Sequence, residues 1–162
     1  MERPRPDEAE ARPGASEVSP AAADARAPGA EGDGALFRIF AETASDAILV
    51  VDSDSHIHFA NRAAEEIFGH PAAELLGRSL TVLMPEYLRH LHREGVVRYA
   101  ATGVRHISWS GVELPGLHRD GRELALEISF GEFTRGGRRF FTGIARDISA
   151  RKRADVRRAL QH

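Results

Sequence analysis

Eight histidines and no cysteine set the chemistry open to this chain of 162 residues. Thiolate metal sites, disulfides and thiol catalysis are excluded together, and so is flavin photochemistry of the cysteinyl-adduct kind. His56 and His58 stand two apart on a predicted strand, so both imidazoles point to one face and could chelate a metal. No third ligand is evident beside them, and a solvent-facing hairpin pair is the expectation. His90 and His92 are also two apart, but on a predicted helix, where that spacing sends them to different faces and argues against a joint site. His92 belongs to Met84-Pro85-Glu86-Tyr87-Leu88-Arg89-His90-Leu91-His92, followed by Arg98-Tyr99 and closed by Gly103. His70 precedes Pro71 and His118 adjoins Arg119-Asp120-Gly121, turn positions that need no function.

The remaining reactive residues do not assemble into a catalytic pattern. The glycine-bounded serine elbow, the phosphate-binding Gly-x-x-x-x-Gly-Lys loop and the His-Glu-x-x-His helix are all absent from the sequence. Glu113, Glu123, Glu127 and Glu132 fall on predicted strands whose outward faces are simply solvated. A non-enzyme is expected.

Positioning the histidines requires a folded domain, and composition places it after the first 34 residues. Residues 1–34 hold eight acids against four arginines and no aromatic, isoleucine or leucine. Such a head cannot bury enough apolar surface to offset its ordering entropy and is expected to be disordered. The remainder suits one domain, residues 35–148, with a helical tail at 149–162. It is near neutral and has no broad basic face, which disfavours direct nucleic-acid binding. Neither a signal-peptide core nor the roughly 20 apolar residues of a membrane span can be found, so no membrane contact and a cytoplasmic location are expected.

Periodicity then gives the elements. Leu36, Phe37, Phe40, Ala41 and Ala44 recur at helical spacing, and Ala47-Ile48-Leu49-Val50-Val51 reads as a buried strand. Ser53-Asp54-Ser55 turns the chain into a second strand, residues 56–60. Asn61 caps a short helix ended by Gly69, and Pro71 and Gly77 bracket another. Glu86 to Ala101 forms a longer helix with Leu88, Leu91, Val96 and Tyr99 available for burial. Three strands follow, at 104–114, 123–130 and 138–148, joined through Arg119-Asp120-Gly121 and Arg135-Gly136-Gly137. This order predicts an α+β fold, a five-stranded antiparallel sheet with helices on one face and short flanking terminal helices.

Asp46-Ala47-Ile48, Asn61-Arg62-Ala63-Ala64, Phe68-Gly69, Leu75-Leu76-Gly77, Met84-Pro85, Arg119-Asp120-Gly121 and Arg146-Asp147-Ile148-Ser149 stand in an order and spacing that resemble a PAS domain of the bacterial S-box type. The resemblance implies a PAS fold. It also implies a sensory module that takes a ligand or partner in a helix-lined pocket of its sheet and signals through flanking helices that dimerise. The pocket would be lined by Ile107, Trp109, Leu126, Ile128 and Phe130. The implied partners are a second copy of the chain and, in trans, an output kinase or regulator.

The helix at 86–101 and the strand after it are similar to the FixL-type heme oxygen sensors. That similarity makes His92 the axial ligand to heme iron and sets Arg98 and His106 against the propionates; a neutral imidazole on a rigid helix suits that role. Two positions depart from the pattern. The arginine that holds oxygen in those sensors corresponds to Val112, and a small residue of their strand corresponds to Trp109, whose indole fills volume a macrocycle needs. Three readings stay open: a non-catalytic sensory and dimerisation module, a heme-based gas or redox sensor, and a ligand-free interaction domain. Beyond the domain, Ser149 can cap a helix in which Arg153, Val156 and Leu160 lie at coiled-coil-like spacing. The six basic residues from Arg146 to Arg158 read as a solvated face.

Overall fold

The computed structural model describes residues 30–104 and 109–161. The expected disordered head lies almost wholly outside the described residues, as do His106 and Ile107. Helix α1 (Ala30–Thr43) leads into β1 (Ala47–Asp52) and β2 (Ile57–Ala60), so it begins ahead of the predicted Leu36. Then come α2 (Arg62–Phe68), α3 (Ala72–Leu75), a single 3-10 turn over Leu80–Leu83, and α4 (Glu86–Thr102). Strands β3 (Val112–Leu117), β4 (Glu123–Arg135) and β5 (Arg138–Asp147) precede the terminal α5 (Ser149–Ala159). The strands form one antiparallel sheet in the order β2-β1-β5-β4-β3.

Alternation divides the sheet into two faces. Leu49 and Val51 of β1, Leu124 and Leu126 of β4 and Ala145 of β5 face inward onto Ala64, Phe68, Leu75 and Leu83, which makes the main core. Val50, Phe133 and Phe140, with Phe59 against them, form a smaller cluster on the outer face. The central helices cover the inner face, while the terminal helices make contacts on the outer one. Phe37 of α1 meets Phe59 edge-on at 5.7 Å, and Arg151 of α5 reaches Glu113 and Glu127 on β3 and β4.

Asn61 ties these layers together. Fully buried, it donates to the carbonyls of Ala41 and Asp46 and accepts from the backbone N–H groups of Ile48 and Ala64. The side chain therefore caps α2, as its type predicts, and also fastens the end of α1 to the first strand. Gly69 ends α2 at φ 78°, with the His118 ring where a Cβ would point.

β3 differs from the expected strand at 104–114. Gly111 turns the chain at φ 62°; among the described residues the β3–β4 ladder runs from Val112 through Pro115 and Gly116 to Leu117, and residues 105–108 of the expected strand lie outside the described residues. Proline is tolerated because β3 is an edge strand and can leave an N–H unpaired. Gly116 is required by close approach: a Cβ there would stand 2.5 Å from Leu126 Cδ1 and 3.2 Å from Phe68 Cε1.

Candidate functional site

Four aromatic rings meet between α4 and the inner face of the sheet. Tyr99 of α4 lies 5.4 Å from Trp109 and 6.1 Å from Phe141, and Trp109 lies 6.3 Å from Phe141 and 6.4 Å from Phe130. Helical spacing brings Tyr99 over the sheet. Alternation aims Phe130 and Phe141 inward, while the Trp109 carbonyl, accepting from the Phe130 N–H at 2.8 Å, holds the indole over β4. The Tyr99 hydroxyl donates to Glu132 at 2.8 Å, and the Arg139 guanidinium lies 5.6 Å over the Tyr99 ring.

Of the expected pocket residues, Trp109 and Phe130 meet in this cluster. Leu126 and Ile128 join the main core on the same face, and Ile107 lies outside the described residues. Sequence reasoning missed Phe141 as a member. Its signal was the pair Phe140-Phe141, since neighbours on a strand must face opposite sides. An open cavity of about 390 Å³ lies elsewhere, at the root of α5, lined by Pro115, Ala125, Ile148 and Lys152 among others.

His92 is turned away from the rings. Its Nε2 shares a 3.0 Å hydrogen bond with the Ser55 hydroxyl in the β1–β2 turn. Burial, with Arg93 beside it, holds the imidazole below its usual pKa. Arg98 is exposed on α4, and His106 lies outside the described residues. In this arrangement His92 is engaged by Ser55 and Trp109 stands among the rings beneath α4, so heme on His92 would require both side chains to move.

The turn that receives His92 is densely bonded. Asp52 Oδ1 accepts from the backbone N–H groups of Asp54 and His56, and His58 Nε2 donates to Oδ2 at 2.8 Å. Burial raises the Asp52 carboxyl, but the His58 hydrogen bond and the two backbone bonds outweigh it and hold the group below its usual value. Ser55 stands at φ 63°, the left-handed region, alone among the described non-glycine residues. Elsewhere, His70 is buried with Nδ1 unpaired. Burial first, then Arg78 and Arg119, lower its pKa.

An antiparallel sheet of order 2-1-5-4-3, helices crossing one face and an aromatic cluster beneath the longest of them define a small α+β domain. Residues 41–153 match the family described as PAS fold, and the chain belongs to it. It is 34% identical over 120 residues to sensor protein FixL of Bradyrhizobium diazoefficiens, covering 74% of this chain and 24% of that protein. It is 25% identical over 117 residues to oxygen sensor protein DosP of Escherichia coli, covering 72% and 14%. The PAS domain of an HTR-like protein from Haloarcula marismortui superimposes with a TM-score of 0.55 at 25% identity, covering 73% of this chain and 93% of that one. The chain spans about a quarter or less of the length of the curated relatives it matches. Among the described residues, no helix is long and apolar enough to cross a membrane.

Proposed function

We propose that this PAS domain is a non-catalytic sensory and dimerisation module of bacterial signal transduction that regulates a separate kinase or transcriptional output. The observation that carries the reading is on β5, where neighbouring phenylalanines report to opposite faces. Phe141 belongs to the ring cluster under α4, and Phe140 stacks on Phe133 at 5.2 Å on the outer face, where the terminal helices make their contacts. A ligand or partner that repacks the inner rings thereby biases the outer face, and the response is a shift between two packings. The sensor names of the FixL and DosP relatives support this reading.

The dimer surface is assigned to α1. Leu36, Ile39 and Phe40 form one stripe at helical spacing and are 50%, 61% and 65% exposed, an apolar face suited to a second copy. Sedimentation velocity tests it: the chain is expected to sediment as a dimer and Ile39→Glu with Phe40→Glu as a folded monomer. A monomeric parent chain removes the reading.

A second reading, a heme-based gas or redox sensor, is favoured by the position of His92 on α4 and by the oxygen-sensor relative. It requires His92 to leave Ser55 and Trp109 to vacate its place, with Arg98 and His106 meeting the propionates. Absorbance after hemin addition and gel filtration separates the two. A Soret band that is lost in His92→Ala supports heme, whereas a colourless protein leaves the rings as a packed sensory or interaction surface.

A further inference from the structure

We propose that the β1–β2 turn is a binding site for a first-row divalent metal ion, with Asp52, Asp54 and His56 as its protein ligands. One ligand atom from each of these side chains lies within 4.8 Å of the other two. The sequence pairs His56 with His58, but the structure gives the imidazoles different tasks. His56 Nδ1 lies 3.7 Å from Asp52 Oδ1, whereas His58 donates to Oδ2 of the same carboxylate.

This is the division of labour of a metal site, in which one imidazole ligates and another hydrogen-bonds a ligating carboxylate and fixes its plane. A carboxylate offers about four acceptor positions. Two backbone N–H groups fill Oδ1 of Asp52 and His58 takes one position on Oδ2, so the position left for an ion is on Oδ2. Arg138, 3.8 Å from Oδ2, is the cation that an ion would displace. Ligand atoms around a tetrahedral ion are about 3–3.5 Å apart. The contraction falls on Asp54 and His56, which are exposed and free to move, rather than on Asp52. The imidazole nitrogen beside two carboxylate oxygens favours Zn²⁺ or Ni²⁺ over Ca²⁺ and Mg²⁺, Mn²⁺ binds more weakly in the same series, and water completes the shell.

The test uses the full chain. Substoichiometric Mn²⁺ is expected to broaden the backbone amide resonances of residues 52–58 before any others. Zn²⁺ titrated calorimetrically is expected to bind with one-to-one stoichiometry, and His56→Ala and Asp54→Asn to weaken it by about tenfold or more. Both substitutions are at exposed positions, so an otherwise unchanged amide spectrum verifies the fold. Broadening that begins at His90 and Glu94 or at His118 and Asp120, the other imidazole–carboxylate pairs, overturns the assignment. Zn²⁺ affinity unchanged in His56→Ala overturns it equally.

Discussion

His92 Nε2 and the Ser55 hydroxyl, 37 residues apart in sequence, share a 3.0 Å hydrogen bond that joins α4 to the β1–β2 turn. Ser55 holds a left-handed backbone conformation, and its carbonyl accepts from Leu80 N–H while its own N–H donates to the Asp52 carbonyl. The histidine thus closes a turn already fixed at both backbone groups. Ser55→Ala deletes the bond and leaves a half-buried imidazole nitrogen unpaired, a loss of about 1–2 kcal/mol by urea denaturation.

The same imidazole makes stability depend on pH. Its folded pKa is depressed by burial and by Arg93, so the unfolded chain takes up a proton near pH 6.5 that the folded chain refuses. Stability is therefore full above that value and falls as pH drops toward the folded pKa. His70 acts with the same sign. Urea midpoints between about pH 7.5 and 5.5 are expected to fall less steeply for His92→Gln than for the parent chain. An unchanged slope would place His92 in water.

The Ser55 link was invisible in the sequence because nothing local encodes which residue a helix meets across a turn. What local rules encode was legible. Leu124, Leu126, Ile128 and Phe130 do alternate to one face, Asn61 does cap α2, and Gly136 and Gly137 do form the β4–β5 hairpin at positive φ. Misreadings arose where tertiary context overrode the local text. Gly111 turns the chain ahead of β3, and Pro115 survives in it only because the strand is an edge. Gly131 let β4 look finished at Phe130, yet it pairs on to Arg135, with Thr142 Oγ1 2.7 Å from where a Gly131 Cβ would stand. Of the candidate site, Trp109 and Phe130 lie 6.4 Å apart in the ring cluster, whereas the direction of His92 depended on the fold of the turn opposite.

The attachment of α1 depends on one side chain, Asn61. Its amide makes four hydrogen bonds, two of them to carbonyls of Ala41 and Asp46. Asn61→Ala strands several buried backbone groups, each worth about 1–3 kcal/mol, so a loss above about 3 kcal/mol is expected in thermal or urea unfolding. Asn61→Asp is expected to be nearly as damaging, since a carboxylate then faces two carbonyl oxygens with no proton to give. A near-neutral effect of either change would separate α1 from the folded unit.

Gly116 and Leu126 are expected to show strong coupling. Gly116→Ala places a methyl against Leu126 Cδ1, an overpacking that costs about 1–3 kcal/mol. Leu126→Ala empties a position only 2% exposed, at about 2–5 kcal/mol. Together the new methyl enters the space the leucine leaves, so the double variant is expected to lose less than the two single losses combined. Additive losses in a denaturant cycle would mean that β3 does not pack on β4 in this register.

The last prediction concerns α5, which buries none of its side chains. Lys152 meets Glu113 at 2.6 Å, and Arg151 meets Glu113 and Glu127 at 3.3 and 3.6 Å. The Lys152 hydrogen bond lowers the Glu113 carboxyl from its ordinary value against the opposing effect of burial, with Arg151 adding to it. At its root the helix is fixed differently. Ile148 is buried, its N–H donates to the Ala125 carbonyl, and the Ala125 N–H donates to Ser149 Oγ. Exposed ion pairs are screened by salt whereas buried anchors are not. Raising NaCl from about 0.05 to 0.5 M is therefore expected to speed amide hydrogen exchange over residues 153–159 and leave 124–128 unchanged. Glu113→Gln is expected to produce the same pattern at low salt. Exchange in α5 that ignores both changes would mean that its attachment is not electrostatic, and that its basic face is free for a partner instead.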